Sequence, residues 1–251
     1  MNKAIYFLLA FIFLFASPLH AGQPEKSKGV EFHVFAAYGI GGRSPLGLPA
    51  EIRKINSYSP LANISAGAGA TYMFTPKWGL RGGLSFEAKG MDVSSEVRNY
   101  RITMDIKNGD ALGTKSGYYT GRVSNKSMVQ YLTIPVVAVF RPDDRWEIRG
   151  GIYGSYAISR EFTGSTSGGY IRESPLHPKI GVGYASYDYS SDLRHWDLGV
   201  ELGAGFRVYR GLSVNLNLQW GFIDNLNPDT RRIDLSMYNI FLNAGVSYRF
   251  K

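Results

Sequence analysis

The chain contains no cysteine among its 251 residues. Disulfide bonds, thiolate metal sites, cysteine nucleophiles and a lipid-modified N-terminal cysteine are therefore excluded. Beyond the N-terminus the chain also lacks a uniformly apolar run of about 20 residues, the length that a transmembrane helix needs. What the sequence has instead is alternation of apolar and polar residues, in a chain with 30 glycines and 17 tyrosines.

The charge balance is basic, but it does not point to nucleic acid. There are 28 Lys and Arg against 20 Asp and Glu, a formal charge of +8. The basic residues are scattered through alternating segments and form no run or binding motif, so we predict no nucleic-acid partner. The glycine-rich GIGG at 39–42 is followed by no predicted helix, so it does not indicate a phosphate loop. We predict no cofactor and no metal site.

The N-terminus has the organisation of a secretory signal peptide. Lys3 precedes an apolar core over 4–16, and small residues with a proline lead to Ala21, a plausible cleavage point. The apolar run is short for a membrane span. We therefore predict a cleaved signal peptide at 1–21, a short N-terminal segment at 22–29 and one domain at 30–251.

Eight segments of this domain show a two-residue period, which is the period of a β-strand with one apolar and one polar face. The last segment, 238–250, has apolar residues at every even position. Similar alternation covers 30–40, 63–74, 78–89, 131–141, 146–158, 196–208 and 212–222. Strands of about ten residues can cross a bilayer at a tilt.

Short and long connections alternate between these strands. Those at 75–77, 142–145 and 209–211 are tight turns, whereas 41–62, 90–127, 159–195 and 223–237 are long and polar, with 100–106 able to extend a strand. An even strand number with this alternation is typical of outer-membrane barrels. We predict an all-β, eight-stranded antiparallel up-and-down transmembrane β-barrel, with short periplasmic turns and long extracellular loops, located in the outer membrane. The last strand is expected to pair with the first.

The aromatic residues indicate that the apolar face points to lipid. An eight-stranded lumen is filled by ordinary side chains and could not hold all four tryptophans and many further rings. The rings lie at the two ends of the strands with aliphatic residues between them, as in the aromatic belts of membrane barrels. The predicted belts consist of Phe74, Trp78, Phe140, Trp146, Phe206, Tyr248 and Phe250 beside the short turns, and Tyr38, Phe86, Tyr156, Trp196, Trp220 and Tyr238 at the other end.

The opposite face then lines the lumen and carries charges of both signs. Buried charges must pair, so we predict a structural ion-pair network. Arg141 should contact Glu147 across the 142–145 turn, and Glu31 should contact Arg249 where the first and last strands meet. The basic members gather near the short turns, which leaves an anion-preferring passage as the alternative to a plug. The network comprises Glu31, Arg81, Glu87, Lys89, Arg141, Glu147, Arg149, Asp197, Glu201, Arg207 and Arg249. His33 is expected to be a hydrogen-bonded interior residue.

Several segments together resemble the PorT-like family of outer-membrane barrels. They are YLTIPVVAVF at 131–140, GLRGGLSF at 79–86, WEIRGGIY at 146–153, GFIDNLNP at 221–228 and AGVSYRF at 244–250. Thr133, where the family often has an acidic residue, and Lys251, after the usual terminal aromatic, depart from the pattern. The resemblance implies an eight-stranded barrel with the architecture of small OmpA- and OmpX-type proteins. It also implies, for some members, a link to protein-secretion machinery.

The long loops are the remaining candidate surface for activity. His177, Asp188, Asp192 and His195 fall in or beside the third loop, but they show neither hydrolase nor metal-ligand spacing. The first two loops are net basic, with Arg43, Arg53, Lys54, Arg98 and Arg101 among their residues, and the third contains five aromatic residues. These are Phe162, Tyr170, Tyr184, Tyr187 and Tyr189. Such loops suit lipopolysaccharide phosphates, glycans or protein partners, although plain solvated surface explains them equally well.

We therefore predict a non-enzymatic outer-membrane barrel with a structural or interaction role through its loops. The expected partners are outer-membrane lipid and lipopolysaccharide, protein partners at the loops, and the barrel-assembly machinery during insertion. A minor porin, a component of a secretion apparatus and a surface hydrolase are the alternatives, in that order.

Overall fold

The computed structural model describes residues 29–45, 49–108, 111–174, 176–227 and 236–250. The predicted signal peptide lies outside the described residues, as does the predicted segment 22–29 except Gly29, where the first strand begins. The only helix in the described part is one 3-10 turn, Ser190–Asp192, and no helix there is long and apolar enough to span a membrane.

Eight antiparallel strands form a closed ring, which confirms the predicted fold. Each pairs with its neighbour in the ring, and β11 pairs back to β1 over a register from His33↔Arg249 to Ser44↔Tyr238. Closure leaves neither terminal strand of the ring as an exposed edge. In spatial order the ring consists of β1 (Gly29–Ser44), β3 (Ile64–Met73), β4 (Trp78–Asn108), β5 (Ala111–Phe140), β6 (Trp146–Arg172), β9 (Trp196–Tyr209), β10 (Leu212–Gly221) and β11 (Tyr238–Arg249).

The apolar face of the ring points outward. Neighbouring residues show this directly: Leu202 is 57% exposed and Glu201 is 9% exposed, while Val136 and Val137 are 44% and 2% exposed. Apolar side chains on the outside of a closed barrel remain exposed unless lipid covers them, because the period of two places every second residue there. The alternation seen in the sequence is therefore the alternation between an outer apolar surface and a polar lumen.

Within each of the two predicted belts, neighbouring aromatic rings contact one another at the strand ends. Beside the short turns the ring centroids of Trp78 and Phe140 are 4.6 Å apart. Strand pairing sets this contact, because Trp78 lies opposite Phe140. At the loop end Tyr156 lies opposite Trp196, with centroids 4.7 Å apart. The belt residues thus lie where cross-strand pairing lets them stack, at both ends of the outer surface.

Of the long connections predicted at 90–127 and 159–195, most residues belong to strands, well beyond the extension expected at 100–106. β4 and β5 remain paired without a loop from Trp78↔Phe140 to Asn108↔Ala111. Three further strands lie at this end: β2 (Ile52–Pro60) pairs with β4, β7 (Ile180–Gly181) pairs with β6, and β8 (Tyr184–Asp188) pairs with both β6 and β4. The upper ends of β4, β5 and β6 therefore close with β8 into a second, four-stranded ring, which we call the upper ring.

The upper ring closes around its own apolar core. In the membrane barrel the apolar side chains point outward, but here they point inward and pack against one another. Tyr119 and Tyr189 have no exposed surface, and Tyr187 stacks on Tyr189 at 4.8 Å between centroids. Burial of such side chains contributes roughly 1.5 to 3 kcal/mol each. The core includes Val97, Ile102, Met104, Tyr119, Val123, Phe162, Ile171, Val182, Ala185, Tyr187 and Tyr189.

Two bends lie within the upper ring. Asn99 has φ 54°, in the left-handed region, at a bulge between Val97 and Tyr100. On the neighbouring strand pair Gly169 has φ 134°, and a Cβ there would lie 2.3 Å from the Thr120 carbonyl oxygen. A bulge bends its strand, so these positions curve the long strands within the upper ring.

The outward orientation makes a direct prediction at mid-height of the barrel. Leu202→Arg places a charge on the apolar outer face and should lower the free energy of unfolding by about 2 to 4 kcal/mol. Urea unfolding of the protein refolded into phospholipid vesicles measures this. Tyr184→Arg, an exposed position on β8, is the matched control and should change stability little. Equal effects of both substitutions would contradict a lipid-facing Leu202.

Candidate functional site

The lumen near the short turns is filled by what we call the arginine–glutamate cluster: Glu31, Arg81, Arg141, Glu147, Arg149 and Arg249. Glu147 is its centre, because three guanidinium groups share its carboxylate. Its oxygens lie 2.8 Å from Arg81 Nη2, 3.0 Å from Arg141 Nη2 and 2.7 Å from Arg149 Nη1. These contacts join β4, β5 and β6 across the interior.

Glu31 is the second carboxylate of the cluster. Arg141 Nη2 lies 2.7 Å from its Oε2, and Arg249 Nη1 lies 3.2 Å from the same oxygen. The structure thus brings together both pairs that the sequence suggested, Arg141 with Glu147 and Glu31 with Arg249. Glu31 links the closing strands β1 and β11 to the network on the far side of the lumen, since Arg141 bridges the two carboxylates.

A second group of charges lies higher in the lumen. This lysine–carboxylate cluster consists of Glu87, Lys89, Asp197 and Glu201. Lys89 Nζ lies 2.8 Å from Glu87 Oε2, and both side chains are buried. Gln219 Nε2 donates to Glu87 Oε1 at 3.0 Å and to Glu201 Oε2 at 3.1 Å. Asp197 Oδ2 accepts from the Tyr153 hydroxyl at 3.1 Å and from Asn239 Nδ2 at 2.8 Å.

Aromatic rings enclose the Lys89 ammonium group. Its Nζ lies 5.1 Å from the ring centroid of Tyr153, 5.4 Å from that of Tyr131 and 5.7 Å from that of Phe241. Cation–π attraction is strongest when the cation is desolvated, as it is here. These rings, together with Gln219 and Asn239, were missed as parts of the site. Their only sequence signal is large side chains on the otherwise small or polar inner face.

The two clusters have opposite charge. The arginine–glutamate cluster has four arginines for two glutamates, and the lysine–carboxylate cluster has one lysine for three acids. A cavity of about 60 Å³ separates them, lined by Arg81 and Arg149 on one side and Glu87 and Glu201 on the other. Arg207, the remaining predicted member, lines the opening beside the short turns. The predicted asymmetry of charge along the lumen is therefore present in the geometry.

Apolar residues cover the lumen above Lys89. Val129, Tyr131 and Ala157 are each at most 3% exposed, and they are continuous with the core of the upper ring. Leu193 and Leu226 form an isolated β-bridge over the same region and are each at most 2% exposed. A layer of buried apolar side chains therefore separates the lysine–carboxylate cluster from the solvent at the loop end.

The hydrolase candidates do not converge in their described contacts. His177 Nδ1 is 2.7 Å from the Ser174 hydroxyl on an exposed turn, and His195 stacks on Tyr156 at 5.6 Å between centroids. Asp188 Oδ1 accepts from the Ser190 amide at 2.8 Å, and Asp192 is buried with an oxygen 3.1 Å from the Ser191 hydroxyl. Among the described residues no group of three or more His, Asp or Glu side chains could hold a metal ion.

Three expectations about individual side chains need correction. His33 is interior, but its Nδ1 has no hydrogen-bond partner among the described residues. Arg43 does not belong to an exposed basic loop: it is 4% exposed and donates to the Ser127 hydroxyl and, at 3.5 Å, to the Lys89 carbonyl. Of the five aromatic residues assigned to a binding loop, Phe162, Tyr187 and Tyr189 are buried in the upper-ring core.

One outer face of the upper ring combines basic and aromatic side chains, and we call it the cationic face: Arg98, Tyr170, Arg172 and Lys179. Lys179 Nζ lies 4.5 Å from the Tyr170 ring centroid, and Arg172 Nη2 donates to Asn99 Oδ1 at 2.7 Å. A hydrogen bond with Thr120 lowers the pKa of the Tyr170 phenol, and Lys179, Arg172 and Arg98 lower it further. That effect places all three cations near one hydroxyl group.

The comparisons with known proteins agree with this geometry. The model of a family described as an outer membrane protein β-barrel domain matches residues 21–227. This chain belongs to that family. It is an outer-membrane protein, and in such barrels the short turns face the periplasm, which makes the upper ring extracellular. No curated protein sequence matches the chain.

Solved outer-membrane proteins are similar to this family member at low identity. Ail, the attachment invasion locus protein of Yersinia pestis, is 12% identical over 88% of this chain and 97% of its own, with a TM-score of 0.40. OprG from Pseudomonas aeruginosa is 14% identical over 89% and 97%, with a TM-score of 0.38. Neisserial surface protein A is 12% identical over 88% and 97%, with a TM-score of 0.32. Because these TM-scores are below 0.5, the assignment depends on the family match and on the closed ring of strands.

The central position of Glu147 leads to a prediction about stability. Glu147→Gln leaves three arginines without their shared carboxylate and should destabilise the barrel by about 3 to 5 kcal/mol. Urea unfolding in vesicles measures the change. Asp144→Asn removes an exposed carboxylate from the adjacent turn and is the control, expected to change little. A loss for Glu147→Gln no larger than that of the control would contradict a network centred on Glu147.

The buried phenols of the upper ring lead to a second prediction. Burial raises the pKa of Tyr187 well above its ordinary value. Because the folded state favours the neutral phenol, its stabilising contribution holds below the ordinary pKa and is lost as pH rises through the raised one. In an absorbance titration at 295 nm, Tyr187→Phe should therefore remove amplitude from the last alkaline step. Tyr184→Phe, at an exposed phenol, should leave that step intact. Loss of amplitude from the early step instead would show that Tyr187 is not buried.

Proposed function

We propose that this protein is a closed, non-enzymatic barrel that presents the upper ring to the cell exterior for binding. One observation carries the proposal: the extracellular ends of β4, β5 and β6 close with β8 around a dedicated apolar core. A channel needs an open extracellular end, whereas this core lies across the end of the lumen. The architecture favours display of a rigid surface over passage of solutes.

The filled lumen supports the same role. Both charged clusters bridge strands on opposite sides of the barrel, and the cavity between them, about 60 Å³, has room for only a few water molecules. A minor porin is the alternative, and its solutes would have to pass Lys89 with its three surrounding rings. A surface hydrolase has less support still, because His177 and His195 make separate, local contacts.

The cationic face is the proposed binding surface. Arg98 and Lys179 are exposed side chains, and Lys179 lies over the ring of Tyr170. Basic residues near a ring suit a sugar that carries phosphate groups. The phosphorylated core of lipopolysaccharide is the first ligand to consider, since it surrounds any extracellular structure of this membrane. Protein partners at the same face are the second.

We also propose that, among outer-membrane barrels, this chain is related to the PorT-like proteins. The motifs that support it lie in the membrane barrel: Ile134 and Pro135 occur in the last third of β5, and the terminal aromatic Phe250 directly follows β11. That relationship would make association with a protein-secretion apparatus an alternative role. Recognition of the terminal strand by the barrel-assembly machinery is the expected route of insertion.

Removal of two cations tests the binding role. In nanodisc-held protein, Arg98→Ser with Lys179→Ser should weaken binding of phosphorylated lipopolysaccharide core oligosaccharide by about tenfold or more, since each basic group near an anionic surface contributes about 1 kcal/mol. Isothermal titration calorimetry measures the dissociation constants. Arg53→Ser with Lys54→Ser on β2 removes the same charge elsewhere and should have little effect.

The ligand supplies a second control, because dephosphorylated oligosaccharide should bind weakly to every variant. If both double variants lost affinity equally, net charge alone would explain the effect, and binding at the cationic face would be contradicted. Failure of the wild-type protein to bind the phosphorylated oligosaccharide would contradict this choice of ligand.

A further inference from the structure

The lumen opens toward the periplasm through a small vestibule. Its space of about 30 Å³ is lined by Arg81, Arg141, Arg145, Arg207 and Arg249, with Ser213, Ser247 and Asn215 between them. It shares His33, Arg81, Asn215 and Ser247 with the lining of the larger cavity above. The two spaces therefore follow one another along the lumen from its periplasmic end, and together we call them the passage.

The vestibule has more positive than negative charge. Five arginines line it, but only two carboxylates do, those of Asp144 and Glu147. Glu31 adds a third, which is already bound to Arg141 and Arg249. Arg207 forms no ion pair among the described residues, and its side chain is only partly exposed. Excess guanidinium groups in a confined space favour the entry of an anion.

Polar groups other than arginine also converge there. His33 is 8% exposed, and its Nδ1 has no hydrogen-bond partner in the described part of the chain. Gly69 makes room for this ring, because a Cβ at that position would lie 2.7 Å from His33 Cε1. Asn215 Nδ2 donates to the Ser247 hydroxyl at 2.9 Å, which holds both side chains at the wall. An unpaired buried nitrogen is costly unless something occupies the space beside it.

The passage ends inside the barrel. Above the cavity Glu87, Glu201 and Gln219 form a hydrogen-bonded layer, with Lys89 and its rings beyond it. An anion that enters meets carboxylates at this level and is repelled. The vestibule is thus a dead end with a positive entrance, which is the geometry of a binding site and not of a conducting pathway.

We propose that the periplasmic vestibule binds a small, soluble oxyanion of the phosphate type, held by Arg207 with His33, Arg81 and Arg249. Arg207 supplies the uncommitted guanidinium, and the orphaned imidazole nitrogen supplies a further polar contact. Most of the lining side chains belong to the lumen face or to the turn at 142–145, so the ligand is expected from the aqueous periplasm and not from the lipid leaflet. This inference is independent of the proposed extracellular binding role.

Calorimetric titration of inorganic phosphate into the protein in zwitterionic nanodiscs tests the proposal. The wild-type protein should bind one phosphate saturably, and Arg207→Gln should weaken the binding by about tenfold or more, the scale of one charged hydrogen bond. Arg207→Lys, which keeps the charge, should recover part of the loss. Arg101→Gln, an exposed cation far above on β4, is the control and should bind as the wild type does. Unchanged binding in Arg207→Gln, or no saturable binding by the wild type, would overturn the site.

Two further arms define the ligand. Acetate should bind more weakly than phosphate, and equal or tighter binding of acetate would overturn the phosphate assignment. Nanodiscs that contain phosphatidylglycerol should not compete with phosphate. Competition by this lipid would show that the site binds a lipid headgroup and not a soluble anion. A heat-modifiable gel shift of each variant confirms that the barrel is folded before titration.

Discussion

The sharing of Glu147 by three arginines is the interaction on which the interior of this barrel depends. An eight-stranded lumen is too narrow for bulk water, so most of its charges must find partners within it. Arg81, Arg141 and Arg149 come from three successive strands of the ring, and one carboxylate satisfies all of them. Arg141 also contacts Glu31, and Glu31 contacts Arg249 at the seam between β1 and β11. Closure of the barrel and filling of its lumen are therefore linked.

Above this network the interior changes first in the sign of its charge and then from polar to apolar. The lysine–carboxylate cluster carries the opposite charge, and aromatic rings as well as the Glu87 carboxylate surround the Lys89 ammonium group. The upper ring then inverts the barrel pattern, with apolar side chains inside and polar ones outside. One pair of long strands, β4 and β5, runs through all three environments. The protein thus combines a membrane barrel whose outside is apolar with an extracellular ring whose inside is apolar.

The membrane barrel could be predicted from the sequence because lipid contact imposes one rule on every strand. Leu202, Val136 and Trp196 follow the same alternation, and the rule also sets the belts. The pairs Arg141–Glu147 and Glu31–Arg249 followed from turn geometry and from closure. The charged residues around Lys89 were predicted, but its aromatic surroundings were not, because Tyr131, Tyr153 and Phe241 come from three strands and only the three-dimensional register brings their rings together.

The upper ring was the main feature that could not be predicted from the sequence. Its inward residues, such as Tyr119 and Val123, are flanked by mostly polar neighbours, among them Thr120, Arg122 and Ser124, so the segments have the composition of loops. The closing strand β8 has only five residues, Tyr184–Asp188, too few for a clear period. Its partners lie on β4 and β6, elsewhere in the chain, and such pairing leaves no trace in the local residue pattern.

The central claim is that this barrel is closed, with a lumen filled by ion pairs and covered by an apolar core. Conductance of the purified, folded protein in planar lipid bilayers tests that claim most directly, with a general porin recorded in the same membrane as the positive control. Insertion without steady channel currents, at either polarity and in 1 M salt, is the result that the account predicts. Steady single-channel currents, whether anion-selective or not, would contradict it.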